Sequence, residues 1–321
     1  MKRVKSGLFF GVALLAALAF ADLGAADEIS REARIAAVKA TATSAQECQV
    51  LGDFYWEMGD TKGALGSGQI GNQYSAGRVI PIASASKWIF GSYVLEKIGR
   101  DKQPSREQVQ ALEMTSGYTG LKFMRCIFPR TVGECFHNRG NDQFVAANVG
   151  KFYYNGGHDQ KLAIDLGLGH FTAKEFGEEI RKYIGSDLDI DFNTPQPAGG
   201  MKASPADYGK FLRKIMSGAL RMHDYLGFQP VCTDPKTCPQ ALFSPVPAAW
   251  HYSLNHWVED SPDDDGAFSS PGAFGFYPWI SANKKWYGIL ARESRMPNAA
   301  KESMYCGVKL RRAWVSGKPQ H

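Results

Sequence analysis

Two short stretches bring together side chains able to run acyl-transfer chemistry: Ser84-Ala85-Ser86-Lys87 and, 69 residues later, Tyr153-Tyr154-Asn155. A serine hydroxyl is a poor nucleophile at neutral pH and needs a base. Residues three apart on a helix share a face, so Lys87 can face Ser84 across one turn. The N-terminus of a helix adds free N–H groups and positive partial charge, which suit a developing oxyanion. A tyrosine beside a lysine can relay protons, and an asparagine two positions on can bind a substrate carbonyl or hold the lysine. Neither motif is specific alone. S-x-x-K arises by chance about once in a chain of this composition, and it recurs at Ser281-Ala282-Asn283-Lys284. That copy falls in a polar stretch read as a hairpin turn, which makes Ser281 a solvated turn residue.

The elements around these motifs follow from pattern. An aromatic-rich strand is expected over 50–58, a short strand near Arg78–Ile82, and a helix over Ser84–Ile98 ending at Gly99. Thr172-Ala173-Lys174-Glu175 is a capping box, and Ser204-Pro205-Ala206-Asp207 starts another helix with Pro in its first turn. Strands are expected over Ala273–Ile280 and Trp286–Ala291, and a last helix over Ala299–Trp314. Strands at both ends with helices between them predict one antiparallel sheet assembled from both termini, flanked by helices and carrying an inserted all-helical domain. The expected boundaries are 27–98 and 245–321 for the sheet domain and 99–244 for the insertion.

The first 26 residues read as a secretory signal: Lys2, Arg3 and Lys5, an apolar run from Leu8 to Phe20, and small residues at Ala19, Ala21 and Gly24–Ala26. The run is short for a bilayer span, which needs about 20 residues, so no stable membrane span is expected after cleavage. Cleavage after Ala26 lowers the net charge from +5 to +3, and the remaining charge is scattered, which gives nucleic-acid binding no support. Six cysteines, all beyond the signal, point to disulfides in a periplasmic or secreted chain. Proximity favours Cys126–Cys135 and Cys232–Cys238, leaving Cys48–Cys306. Their spacing does not fit a zinc site, so neither metal nor cofactor is expected. Oligomeric state is not readable.

Ile82-Ala83-Ser84-Ala85-Ser86-Lys87 resembles the nucleophile segment of class C β-lactamases, family VIII esterases and related DD-peptidases. Met114-Thr115-Ser116-Gly117-Tyr118 is similar to their HTSGL segment, with Met in place of His. Phe152-Tyr153-Tyr154-Asn155-Gly156 resembles their YSN loop. Gly199-Gly200-Met201-Lys202-Ala203-Ser204 with Asp207, and Gly272-Ala273-Phe274-Gly275 with Trp279-Ile280, resemble two later segments. The order holds from about Phe54 to Ala291.

The resemblance implies an α/β (α+β) fold of the β-lactamase and penicillin-binding-protein type and an exported serine hydrolase acting on a small-molecule ester or amide. Ser84 would form the acyl-enzyme, and Lys87 and Tyr153 would share the acid–base work. Asn155 would position substrate, with Ser270, Gly272 and Ala273 edging the cleft. The Ser84 and Ala273 N–H groups would form the oxyanion hole. Ser270-Pro271-Gly272 departs from the family's K-T-G or H-x-G element: a cation has become a hydroxyl. This weakens the case for penicillin or D-Ala-D-Ala substrates and keeps two alternatives open, a non-catalytic peptidoglycan- or partner-binding protein and a β-lactamase or DD-peptidase proper. His251 or His256 could supply the missing cation. Residues 121–148 could wall the cleft, and Trp250, Trp257, Phe274 and Trp279 could line an apolar pocket.

Overall fold

The computed structural model describes Met1 and residues 29–321; the expected signal segment otherwise lies outside the described residues. Eight strands form the main sheet: β1 (Phe54–Gly59), β2 (Ala64–Ile70), β3 (Val231–Cys232), β4 (His251–Ser253), β5 (His256–Glu259), β6 (Ala267–Ser269), β7 (Tyr277–Ile280) and β8 (Tyr287–Ala291). Their order is β2-β1-β8-β7-β6-β5-β4-β3, antiparallel at every pairing. The N-terminal β1 thus pairs with β8 from the end of the chain, where Tyr55 faces Ala291 and Trp56 faces Leu290, and β2 pairs with β1 at the sheet edge. The sheet reaches back to Val231, earlier in the chain than residue 245.

Both faces of the sheet are covered, and side-chain alternation divides them. Trp56, Met58, Tyr277, Trp279 and Leu290 face a core shared with the Arg31–Ser44 and Ala299–Ser316 helices, which supply Val38, Leu310 and Trp314. Tyr55, Ile280, Tyr287 and Ile289 face a second core, built with the Ser86–Ile98, Ala173–Ile184 and Pro205–Met216 helices. The last helix is also pinned through Arg311, whose buried guanidinium donates to Glu259 at 2.6 Å and to Asp265 at 2.7 Å. Disulfides join Cys48–Cys306, Cys126–Cys135 and Cys232–Cys238. No helix among the described residues is long and apolar enough to cross a membrane. Three disulfides fit an oxidising compartment.

Local chemistry explains where the elements begin and end. The Thr172/Glu175 capping box forms as the sequence reads, and Ser204 caps the next helix with Pro205 in its first turn. The first strand starts at Phe54, later than expected. Gly52 turns the chain with φ +69°, and the Asp53 carboxylate accepts from the Asn72 and Gln73 N–H groups. The strand expected from Ala273 begins at Tyr277 instead. Gly275, at φ +100°, donates its N–H to the Gly272 carbonyl at 2.9 Å, so Ala273 sits in a tight turn between β6 and β7.

Candidate active site

Ser84 occupies a 3-10 turn, Ala83–Ala85, immediately ahead of the Ser86–Ile98 helix. Ala83 holds φ at +45°, a left-handed conformation that an alanine adopts only at a cost in backbone energy. The surroundings enforce it. Ser86 Oγ donates to the Ala83 carbonyl and accepts from the Met201 N–H at 3.2 Å. The Ile82 N–H donates to the Met201 carbonyl at 3.0 Å, and the Tyr208 hydroxyl to the Ala85 carbonyl at 2.9 Å. The Gly199–Ser204 segment thus supplies a short strand, Met201–Ala203, that clamps the Ser84 turn.

Lys87 lies on the first helical turn and is 3% exposed. Its ammonium donates to Ser84 Oγ at 3.2 Å and to the Ala198 carbonyl at 2.9 Å. It also sits 4.6 Å from the centroid of the Tyr154 ring. Hydroxyl, amine and phenol-bearing ring therefore meet at one place.

The phenol is Tyr154, one residue beyond the tyrosine expected there. Ser84, Tyr154 and Ala273 line one cavity of about 270 Å³, together with Trp257, Pro271 and Lys301. The Tyr153 ring packs instead against Phe243, with centroids 5.4 Å apart. Phe152–Tyr153 is a short extended segment paired with Ala241–Phe243, and consecutive side chains of extended backbone point to opposite sides. The Tyr154 ring stacks on Trp257 at 5.4 Å and meets Tyr252 edge-on.

Asn155 turns away from this cavity. Its Oδ1 accepts from the Leu121 and Gly157 N–H groups, and its Nδ2 donates to the Leu121 carbonyl. The amide that looked available for substrate braces the loop instead.

The Ser270–Ala273 segment is held hard against the Ser84 turn. Ser270 Oγ donates to the Ser84 carbonyl at 3.2 Å. A Cβ on Gly272 would lie 2.1 Å from the Ile82 carbonyl oxygen, so only glycine allows this approach. Ala273 thereby lines the same cavity as Ser84. Neither the Ser84 nor the Ala273 N–H has a hydrogen-bond acceptor among the described residues, which leaves both donors available to an oxyanion.

Neither histidine that could have supplied a cation lines the cavity. His256 is buried against Trp88; its Nε2 accepts from the Gly227 N–H, and burial pushes its pKa down to about 4. His251 pairs with Asp260 and is absent from the cavity wall. Lys301, from the first turn of the last helix, is the cation that lines the cavity. It was not legible beforehand, because nothing local in Ala299–Lys301 marks a site. Of the four aromatics considered, Trp257 lines the cavity, Trp250 and Trp279 are core, and Phe274 is absent from the cavity wall.

Behind Tyr154 lie two buried titratable groups. His158 Nδ1 is 2.7 Å from Ser116 Oγ and its Nε2 is 3.0 Å from the Tyr153 carbonyl; burial lowers its pKa to about 4. Asp159 Oδ1 accepts from Asn255 at 2.8 Å. Burial raises the Asp159 pKa to about 7, partly offset by the Lys87 charge. Among the described residues no cluster of His, Cys, Asp and Glu is arranged to hold a metal ion.

No family model matches the sequence, and comparison with curated proteins gives no match. Solved structures do match over nearly the whole chain. EstCE1, a hydrolase with promiscuous acyltransferase activity, superposes with a TM-score of 0.67 at 10% identity, over 89% of this chain and 100% of its own. A D-stereospecific amidohydrolase from Streptomyces sp. gives 0.59 at 10%, over 87% and 99%. A β-lactamase from Mycobacterium bovis gives 0.58 at 13%, over 83% and 95%. The chain has the β-lactamase-related fold. The Ser84 turn, the Tyr154 loop and the β6–β7 turn converge on one cavity.

Proposed function

We propose that the protein is an exported serine hydrolase that cleaves an ester or amide through an acyl-enzyme on Ser84. The observation that carries this reading is the 3.2 Å contact between Lys87 Nζ and Ser84 Oγ at the wall of a cavity that Tyr154 shares. Ser84 Oγ attacks the substrate carbonyl carbon, and its proton passes to whichever of Lys87 and Tyr154 is in its basic form. The carbonyl oxygen becomes an oxyanion facing the Ser84 and Ala273 N–H groups. The relay then protonates the departing alcohol or amine, which leaves the acyl group on Ser84. Water repeats the sequence, losing a proton to the relay and releasing a carboxylic acid.

Export is supported by the basic and apolar N-terminal segment and by the three disulfides. A second reading, a binding protein without turnover, is favoured by one feature: Ser270 replaces the family cation, and its hydroxyl is spent on the Ser84 carbonyl. Parallel assays separate the readings. The hydrolase reading predicts that p-nitrophenyl ester turnover in the wild type falls to background in Ser84→Ala. Turnover that survives Ser84→Ala removes it, and ligand-induced thermal stabilisation without turnover supports the binding reading. Nitrocefin turnover above the ester rate would support a β-lactamase proper.

A further inference from the structure

Residues 121–130, Leu121-Lys122-Phe123-Met124-Arg125-Cys126-Ile127-Phe128-Pro129-Arg130, contain three cations and no acid. Their apolar side chains do not turn inward. Phe123 is 41% exposed, Met124 69%, Ile127 42% and Phe128 91%. Lys122 and Arg130 are exposed beside them. Four large apolar groups shown to water within six residues is not scattered surface hydrophobicity; such patches mark an interaction.

The segment is built, not loose. The Cys126–Cys135 disulfide closes it, with both cysteines buried. Buried Asn141 accepts from the Lys122 N–H at 3.0 Å and donates to the Cys135 carbonyl at 2.9 Å. Arg125 donates to the Arg139 carbonyl, and Asn138 to the Arg125 carbonyl. The scaffold thus spends its polar groups on holding the apolar tips outward. Two acids lie nearby and both are engaged: Glu134 accepts from the Arg130 N–H at 2.6 Å, and Asp142 lies 3.1 Å from His137. The Phe123 ring and the Ala83 backbone both border Gly199, so the segment begins beside the nucleophile turn.

We propose that this disulfide-closed loop docks the protein on an anionic lipid surface. Met124, Ile127 and Phe128 enter the acyl boundary while Lys122 and Arg130 meet the headgroup phosphates. Apolar tips with flanking cations and no intervening acid complement a negatively charged bilayer, where burial and Coulomb attraction act together. Docking there brings the Ser84 cavity to lipid-dispersed substrates; this consequence rests on the hydrolase reading, whereas the docking does not.

Flotation of the mature protein with vesicles tests it. Vesicles of phosphatidylcholine containing phosphatidylglycerol should carry the protein, more weakly at high salt, and pure phosphatidylcholine should carry less. Met124→Ser/Phe128→Ser should lower the partition about tenfold or more, and Lys122→Gln/Arg130→Gln should abolish the preference for anionic vesicles. Both double variants should hydrolyse a soluble ester as the wild type does, while Met124→Ser/Phe128→Ser loses turnover of a vesicle-embedded ester. Ser84→Ala should float like the wild type, so failure of the hydrolase reading leaves the vesicle result intact. Absence of flotation on anionic vesicles, or equal flotation of Met124→Ser/Phe128→Ser, would overturn the proposal. So would a solution dimer broken by the same variant, which would assign the face to a second copy of the chain.

Discussion

Tyr153 and Tyr154 are adjacent in sequence and chemically identical, yet only Tyr154 lines the cavity that Ser84 shares. The Lys87 ammonium lies over the Tyr154 ring, while Tyr153 is committed to Phe243. Removing a single hydroxyl from each therefore separates their roles without disturbing packing. Tyr154→Phe is expected to lower kcat for ester hydrolysis by about 10²-fold or more, the usual worth of a positioned acid–base group. Tyr153→Phe is expected to stay near the wild type. Steady-state kinetics of the two variants checks this, and the reverse ranking would return the role to Tyr153. The sequence carried the right residue types and the right loop, but not the side each ring takes. That depends on pairing with Ala241–Phe243, about 90 residues away, which no local pattern reports. Asn155 was misleading for a similar reason: its amide meets Leu121, and the contact exists only once the loop is folded.

At the scale of elements, three turns from distant parts of the chain must register to within an ångström. The sharpest constraint is between Gly272 and the Ile82 carbonyl, where a methyl group would have only 2.1 Å. Gly272→Ala must push the β6–β7 turn away from the nucleophile turn, carrying Ala273 with it. Overpacking of this kind costs about 1–3 kcal/mol of stability, and displacing an oxyanion donor costs more in rate than in folding. We expect a modest drop in Tm together with a kcat loss of about 10²-fold or more; thermal unfolding and ester kinetics on the same preparation measure both. A variant with full activity would show that the two turns need not touch. The helices at Ala173–Ile184 and Pro205–Met216 were legible because capping residues act locally: Thr172 and Ser204 cap as their sequences read. Of the eight sheet strands only β1, β7 and β8 were read, because the others are short or lack a distinctive local pattern. The start of the helix after Ser84 was not legible, because the strained Ala83 turn is imposed by Met201 and Ser86.

For the molecule as a whole, buried ionisable groups set how stability varies with pH. Glu113 is 6% exposed, its Oε1 has no hydrogen-bond partner among the described residues, and burial raises its pKa to about 8. A carboxyl whose folded pKa is raised binds more protons folded than unfolded. Its contribution to stability is complete below the unfolded value near 4.5 and is lost as pH rises towards about 8. Glu113→Gln removes that loss, so its stability relative to wild type should grow between pH 4.5 and 8 by a few kcal/mol. Denaturant unfolding across that range checks it, and a pH-independent difference would show that Glu113 is not buried as a neutral acid. The hydrolase reading also makes a claim about the whole surface: Ser84, and not the second S-x-x-K copy at Ser281, is the serine that a reactive probe should label. Incubation with a fluorophosphonate, followed by intact-mass measurement and peptide mapping, tests this most directly. The account predicts a single adduct per chain, on Ser84, which is lost in Ser84→Ala; no adduct, or one that persists in that variant, would contradict it.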